Sequence, residues 1–212
     1  MLNKRVKEGI KSLHTESPQI RFCLGTLALM FFCIVLLVIA TFTQIRIDFG
    51  AQNSVSNYLR FEYIPQIPIV IFIAALLGET WGLVTILFYI ILGLTPAFPF
   101  FGLGGGLTYI FQYNFGYIFA YIFAVLLSAK ELKRGNGILN IVFAMLYAVI
   151  SIHAIGIIYM FIVALIRHDS LQFMGNFIYY QSLSKILYDI VFGIIAILFA
   201  KLCKKFIWLI TG

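Results

Sequence analysis

The sequence predicts an all-α integral membrane protein with six transmembrane helices and both termini in the cytoplasm. Three observations predict it. Hydrophobic residues make up 62% of the 212 and charged residues 11%, at a mean hydropathy of +1.02, outside the range of soluble domains. From Thr80 to Ala129, 50 consecutive residues carry no charge, too many for one crossing and too apolar for a soluble core. The cations fall in clusters between apolar runs. Their excess, 15 Lys and Arg against 8 Asp and Glu, is assigned to cytoplasmic loops rather than to nucleic acid.

Taken in order, residues 1–21 form a polar, basic cytoplasmic segment, and a single membrane domain fills 22–205. The first span is 22–43, whose core Phe22–Phe42 has no charge over 21 residues. It lacks the short apolar region and small-residue cleavage site of a secretory signal, so it reads as a mature helix. Two short spans follow at 64–77 and 82–94, opened by Pro65 and Pro68 and separated by a turn between Gly78 and Gly82. The fourth span is 107–128, the fifth 138–166 after the basic turn KELKRGNG, and the sixth 182–202. Residues 206–212 are a short C-terminal tail. With six spans, 11 of the 15 cations lie on the side of the termini, which places that side inside. The 44–63, glycine-rich and 167–181 loops then share the outer face.

The segment Phe98–Tyr117 reads FPFFGLGGGLTYIFQYNFGY. Glycines and aromatics are poor helix chemistry, and Gly104, Gly105 and Gly106 permit close backbone approach. At membrane depth, irregular backbone needs protein or a wet cavity around it. The segment is therefore either a ligand loop or a plain interhelical turn. In the fourth span Gly116, Ala120, Ala124 and Ser128 repeat every four residues, a packing stripe. Asn114, Tyr117 and Tyr121 share a neighbouring face, either lining a cavity or serving as a cap and interface aromatics.

On the sixth span Gln181, Lys185, Tyr188 and Asp189 fall on one helical face. A charge at the centre of a membrane helix costs about 2.5–3.5 kcal/mol. Lys185 and Asp189 offset part of this by pairing across one turn, in the weaker Lys-before-Asp order. They either serve a ligand or snorkel to the interface as a pair. His153 in the fifth span reads as a hydrogen-bonded packing residue. Cys23, Cys33 and Cys203 have no metal spacing and read as packing residues. There is no phosphate loop, no HExxH and no GxSxG. Composition and spacing thus favour a membrane binding protein, with no cofactor, over an enzyme.

The stretch Gly78–Ala124 resembles the BioY family, the biotin-binding membrane subunit of energy-coupling-factor uptake systems. The family pattern of a helix ending in Tyr and Gly, a G–P–V–F loop, a GG-S-GG-L segment and GPTGGY is matched by Tyr89, Gly93, Phe100, Gly102, Gly105, Gly106, Leu107, Gly116 and Tyr117. Upstream, Gln44, Ile45, Arg46 and Ile47 resemble the loop entry, and Gln66 falls on the family's TLQ glutamine. Downstream, PGDLLK falls on Tyr180, Gln181, Ser182, Leu183, Ser184 and Lys185. The chain departs from the pattern where GPTGGY becomes QYNFGY and where Ser182 replaces the acid.

The resemblance implies a substrate-binding subunit for vitamin uptake at the plasma membrane. It also implies a transmembrane coupling protein and ABC-type ATPases as partners. Its ligand is biotin or a related small acid such as lipoate; a membrane-embedded enzyme is the competing class. The implied ligand-binding residues are Gln44, Arg46, Gln66, Tyr89, Phe100, Gly105, Gly106, Tyr109, Asn114, Tyr117, Ser182, Lys185 and Asp189. Lys185 would meet a carboxylate or ureido oxygen, Asn114 and Gln66 would offer donors and acceptors, and Phe100, Tyr109 and Tyr117 would form apolar walls.

Overall fold

A computed structural model describes residues 24–49, 59–96, 99–102 and 104–211. The N-terminal segment and Cys23 lie outside the described residues. Helix α1 spans Leu24–Phe42. It buries Met30, Cys33, Leu37, Ala40 and Thr41 at helical spacing, while Phe31, Phe32, Val35 and Ile39 face outward. An apolar outer face of this kind suits lipid rather than water.

A two-stranded antiparallel hairpin follows, β1 Ile45–Phe49 with β2 Leu59–Tyr63, a short addition to an otherwise helical fold. The physical reason is visible in IRIDF and LRFEY: apolar and charged residues alternate with the period of a strand. The backbone register pairs Arg46 with Glu62 and Asp48 with Arg60.

Helix α2 runs from Gln66 to Leu94 but breaks at Gly78, whose φ of 75° and ψ of −168° are not helical. The break reverses the chain. Gln66 and Tyr89 both reach the Thr41 hydroxyl, at 2.7 and 3.3 Å. In a straight helix 23 residues would separate them by about 35 Å. Gly82 seals the fold-back: a Cβ there would stand 3.8 Å from the Ala74 Cα and 2.9 Å from Val125 Cγ1. The expected short pair of spans is thus one helical hairpin that turns on a single residue, not on a four-residue loop.

The loop after α2 is pinned by backbone bonds. Phe101 and Gly104 exchange hydrogen bonds at 3.0 and 3.2 Å, and the Gly106 N–H returns to the Gly93 carbonyl at 3.0 Å. Gly106 has a φ of 79°, a conformation that favours glycine. Leu107–Phe111 then forms a 3-10 turn, Gln112 is extended, and helix α3 begins at Phe115 and ends at Arg134. The expected start at 107 is corrected: the extended Gln112, within the polar run Gln112–Asn114, interrupts what looks from hydropathy like one apolar segment.

Helix α4, Ile138–Ile166, has the expected bounds. Gly116, Ala120, Ala124 and Ser128 of α3 are buried, and Tyr159 of α4 occupies the space a Cβ on Gly116 would take. The small-residue stripe is therefore internal packing and leaves no free face for a partner. Helix α5 is short, Leu171–Ile178, capped by the Ser170 hydroxyl. A π-helical turn, Tyr179–Leu183, leads into α6, Ile186–Thr211. The expected span 182–202 lies within the apolar stretch Leu171–Ile207, while the α-helix itself begins at Ile186 and continues to Thr211, because Lys201, Lys204 and Lys205 are helix formers that do not stop it. Among the described residues, five helices are long and apolar enough to cross a membrane when α2 is counted once.

Candidate ligand site

Three connections converge at the end of the molecule that carries the β-hairpin, the 3-10 turn and the start of α6. A pocket of about 330 Å³ opens there, lined by Gly104, Gly105, Thr108, Tyr109, Gln112, Tyr113 and Asn114. Its floor is built by close approach: a Cβ on Gly104 would collide with the Tyr109 ring, which packs at a 41° tilt against Phe101 with centroids 4.9 Å apart. Burial pushes the Tyr109 phenol above its ordinary value, so it stays a neutral donor.

The turn between α4 and α5 fixes one wall. Tyr113 donates to Asp169 Oδ2 at 2.7 Å, and the Arg167 guanidinium lies 4.6 Å over the same ring. Arg167 also donates to the Phe111 carbonyl, and Tyr159 donates to that of Ile110. His168 between them takes a φ of 57°.

A polar seam runs inward from Asn114. Asn114 stands at the N-cap of α3, yet its side chain makes no cap bond. Instead it accepts from Gln181 at 3.0 Å, and the Lys185 ammonium donates to Gln181 Oε1 at 2.9 Å. One turn deeper, the Tyr117 and Ser182 hydroxyls meet at 2.8 Å. The π-helical turn brings Gln181 and Ser182 together onto α3, a common use of such turns at functional positions. Deeper still lies Asp189, 1% exposed. The expected Lys185–Asp189 pair is not formed. Asp189 accepts from Tyr63 at 2.8 Å and lies 3.1 Å from His153 Nε2. Burial first, and the Asp189 carboxylate second, hold the Tyr63 phenol above its ordinary value. Helix geometry allowed the one-turn pair; tertiary packing supplied better donors from β2 and α4.

The remaining expected residues divide. Gly105, Tyr109 and Asn114 line the pocket; Tyr117, Ser182 and Lys185 form the seam beside it. Gly106 is a backbone hinge tied to Gly93. Gln66 and Tyr89 belong to a separate cluster: Gln66 donates to Thr41 and accepts from Tyr121 at 3.0 Å, while Tyr89 reaches Thr41 and the Phe100 carbonyl. The inward ring is Phe101, 2% exposed, rather than Phe100. Gln44 is exposed at the end of α1, apart from the pocket. Arg46 is described by its backbone alone; its side chain lies outside the described residues. Sequence reasoning missed Tyr63 and Tyr113, while His153, expected to be a hydrogen-bonded packing residue, is buried and bonded to Asp189. Tyr63 and Asp189 are 126 positions apart, a pairing no local pattern announces.

The profile of the BioY family matches residues 13–207. The chain belongs to the BioY family. Its fold is also similar to the crystal structure of the S-component for biotin from an ECF-type ABC transporter, with a TM-score of 0.67 and 19% identity over 89% of this chain and 95% of that one. At that identity the likeness speaks for the fold. No curated protein matches. As a BioY family S-component, the chain is a multi-pass plasma-membrane protein, a substrate-binding subunit for vitamin uptake and not an enzyme.

Proposed function

We propose that this BioY family chain binds biotin from the outer side of the membrane and works with a transmembrane coupling protein and two ABC-type ATPases. The observation that carries the reading is the pocket itself. A glycine-built cavity of about 330 Å³ adjoins a lysine and two side-chain amides. That size lies within the range of small-molecule sites. Tyr109 and Tyr113 offer aromatic walls, and the Asn114–Gln181–Lys185 seam offers donors and acceptors to a ureido group or a carboxylate. The solved relative is, by its own description, an S-component for biotin.

In this reading the two halves of α2 count as separate crossings, giving six. The termini and the Lys130–Arg134 turn then face the cytoplasm, with the pocket outside. The absence of a phosphate loop in the sequence makes ATPase partners the energy source.

Calorimetry on the detergent-purified chain tests the ligand. Saturable one-to-one binding of biotin is expected. Binding of lipoate with no response to biotin would transfer the site to that acid. Single cysteines at Asn53 and Arg134, in a background free of the three native cysteines, are expected to label from outside and inside respectively.

A further inference from the structure

We propose that His153 is a ligand-contacting, specificity-determining residue at the deep end of this site, whose Nδ1 accepts a hydrogen bond from an N–H or O–H of the ligand. The inference rests on the biotin reading above and names the chemistry of its inner subsite.

His153 sits in the middle of α4 and is 4% exposed. Its Nε2 faces Asp189 Oδ2 at 3.1 Å, while Tyr63 occupies Asp189 Oδ1. An ionised carboxylate has acceptors only, so Nε2 carries the hydrogen. The other ring nitrogen, Nδ1, is buried and has no hydrogen-bond partner among the described residues. A buried N–H without a partner is rarer and costlier than a buried lone pair without one. With the hydrogen on Nε2, the Nδ1 lone pair is the group left without a partner among the described residues. Asp189 and Tyr63 fix the tautomer and the ring plane, as an orienting carboxylate does for histidine elsewhere.

Tyr117 stands between His153 and the Asn114 end of the polar seam. Tyr117 lies a turn deeper on α3 than Asn114, and its ring meets His153 edge-on at 6.2 Å. Its hydroxyl is held by Ser182 at 2.8 Å. Gly156 makes room for that ring: a Cβ there would stand 2.5 Å from Tyr117 Cδ1. A ligand group that takes the place of the Tyr117 hydroxyl at Ser182 reaches the His153 lone pair next. The outer end of the site holds the Lys185 ammonium, a donor. The deep end would hold an acceptor. A ligand with an acidic or carbonyl oxygen at one end and N–H groups at the other fits that polarity, and biotin has both.

His153→Gln tests the assignment, because the glutamine Nε2 replaces the imidazole Nε2 toward Asp189 while the Nδ1 acceptor is lost. Binding is measured for biotin and for biotin methylated on a ureido nitrogen. The wild type is expected to prefer biotin. His153→Gln should weaken biotin by about 3- to 10-fold, the range of one neutral hydrogen bond, and bind the methylated analogue as the wild type does. Equal loss for both ligands, or no loss, overturns the inference while leaving biotin binding in place. No binding of biotin by the wild type overturns the parent reading and this one with it. Should the variant fail to fold, wild-type protein with ¹⁵N-labelled histidine decides: the Nδ1 resonance of His153 is expected to move on adding biotin, and an unmoved resonance overturns the proposal.

Discussion

Two polar clusters lie within the helices, and they behave differently. One joins Thr41, Gln66, Tyr89 and Tyr121 between α1, the two ends of α2, and α3. There both ends of the Gln66 amide are engaged, and Thr41 gives its own hydrogen to the Leu37 carbonyl. The other runs from Asn114 through Gln181 and Lys185, beside an open pocket. A buried polar group whose partners are all protein holds helices together. A half-exposed one beside a cavity keeps capacity for something else. The first cluster thus acts as a clasp on the α2 hairpin, and the second as the entrance to the site.

The largest test sits where the clusters approach each other. Asp189→Leu strands the Tyr63 hydroxyl and the His153 N–H in the interior. Each stranded donor should cost about 1–3 kcal/mol of stability in detergent, the range for a buried group left unsatisfied. A melting temperature equal to that of the wild type would show that the acid is not holding these elements. Lys185→Ala should act on binding instead, weakening biotin by about 1.5–3 kcal/mol with the melting temperature preserved. Unchanged affinity in a stable Lys185→Ala protein would remove the entrance seam from the site.

Gln66→Leu should invert that pattern. It leaves the Tyr121 hydroxyl without its acceptor and Thr41 without one donor, at a cost of about 1–3 kcal/mol of stability. Affinity should stay near the wild-type value. A loss of affinity with no loss of stability would move Gln66 from the clasp into the site. The smallest effect is expected at the hairpin tip. Gly78→Ala meets nothing within 4 Å, so only the backbone objects to a side chain at φ 75°. The expected loss is about 1 kcal/mol, the low end for a side chain forced into this nearly glycine-only region, read as a lower melting temperature with unchanged ligand selectivity.

Hydropathy made the helices legible, and the basic turn before Ile138 made the bounds of α4 legible. Glycines marked two of the places where the chain departs from a helix, Gly78 and the Gly104–Gly106 loop. What hydropathy hid was irregular structure built from apolar residues: Leu107–Phe111 is as apolar as a helix yet forms a 3-10 turn. The β-hairpin was also readable in the alternation of apolar and charged residues in IRIDF and LRFEY. For the site, spacing along a helix correctly grouped Gln181 with Lys185. It paired Lys185 with Asp189 because one-turn neighbours are the only partners a single helix offers. His153 and Tyr63 come from elsewhere in the chain, and only the packed fold brings them to Asp189.

The reversal at Gly78 has a consequence for the surrounding lipid. The half of α2 before it contains 12 residues and the half after it 16, lengths of about 18 and 24 Å. A bilayer core is about 30 Å thick. In the six-crossing reading, the tip, with the exposed Glu79 and Thr80, reaches the opposite face only where water and headgroups dip inward to meet its charge. Such a dimple costs a fraction of a kcal/mol per Å of mismatch. The protein then senses membrane thickness on one flank only, and its stability should change with acyl-chain length in reconstituted vesicles.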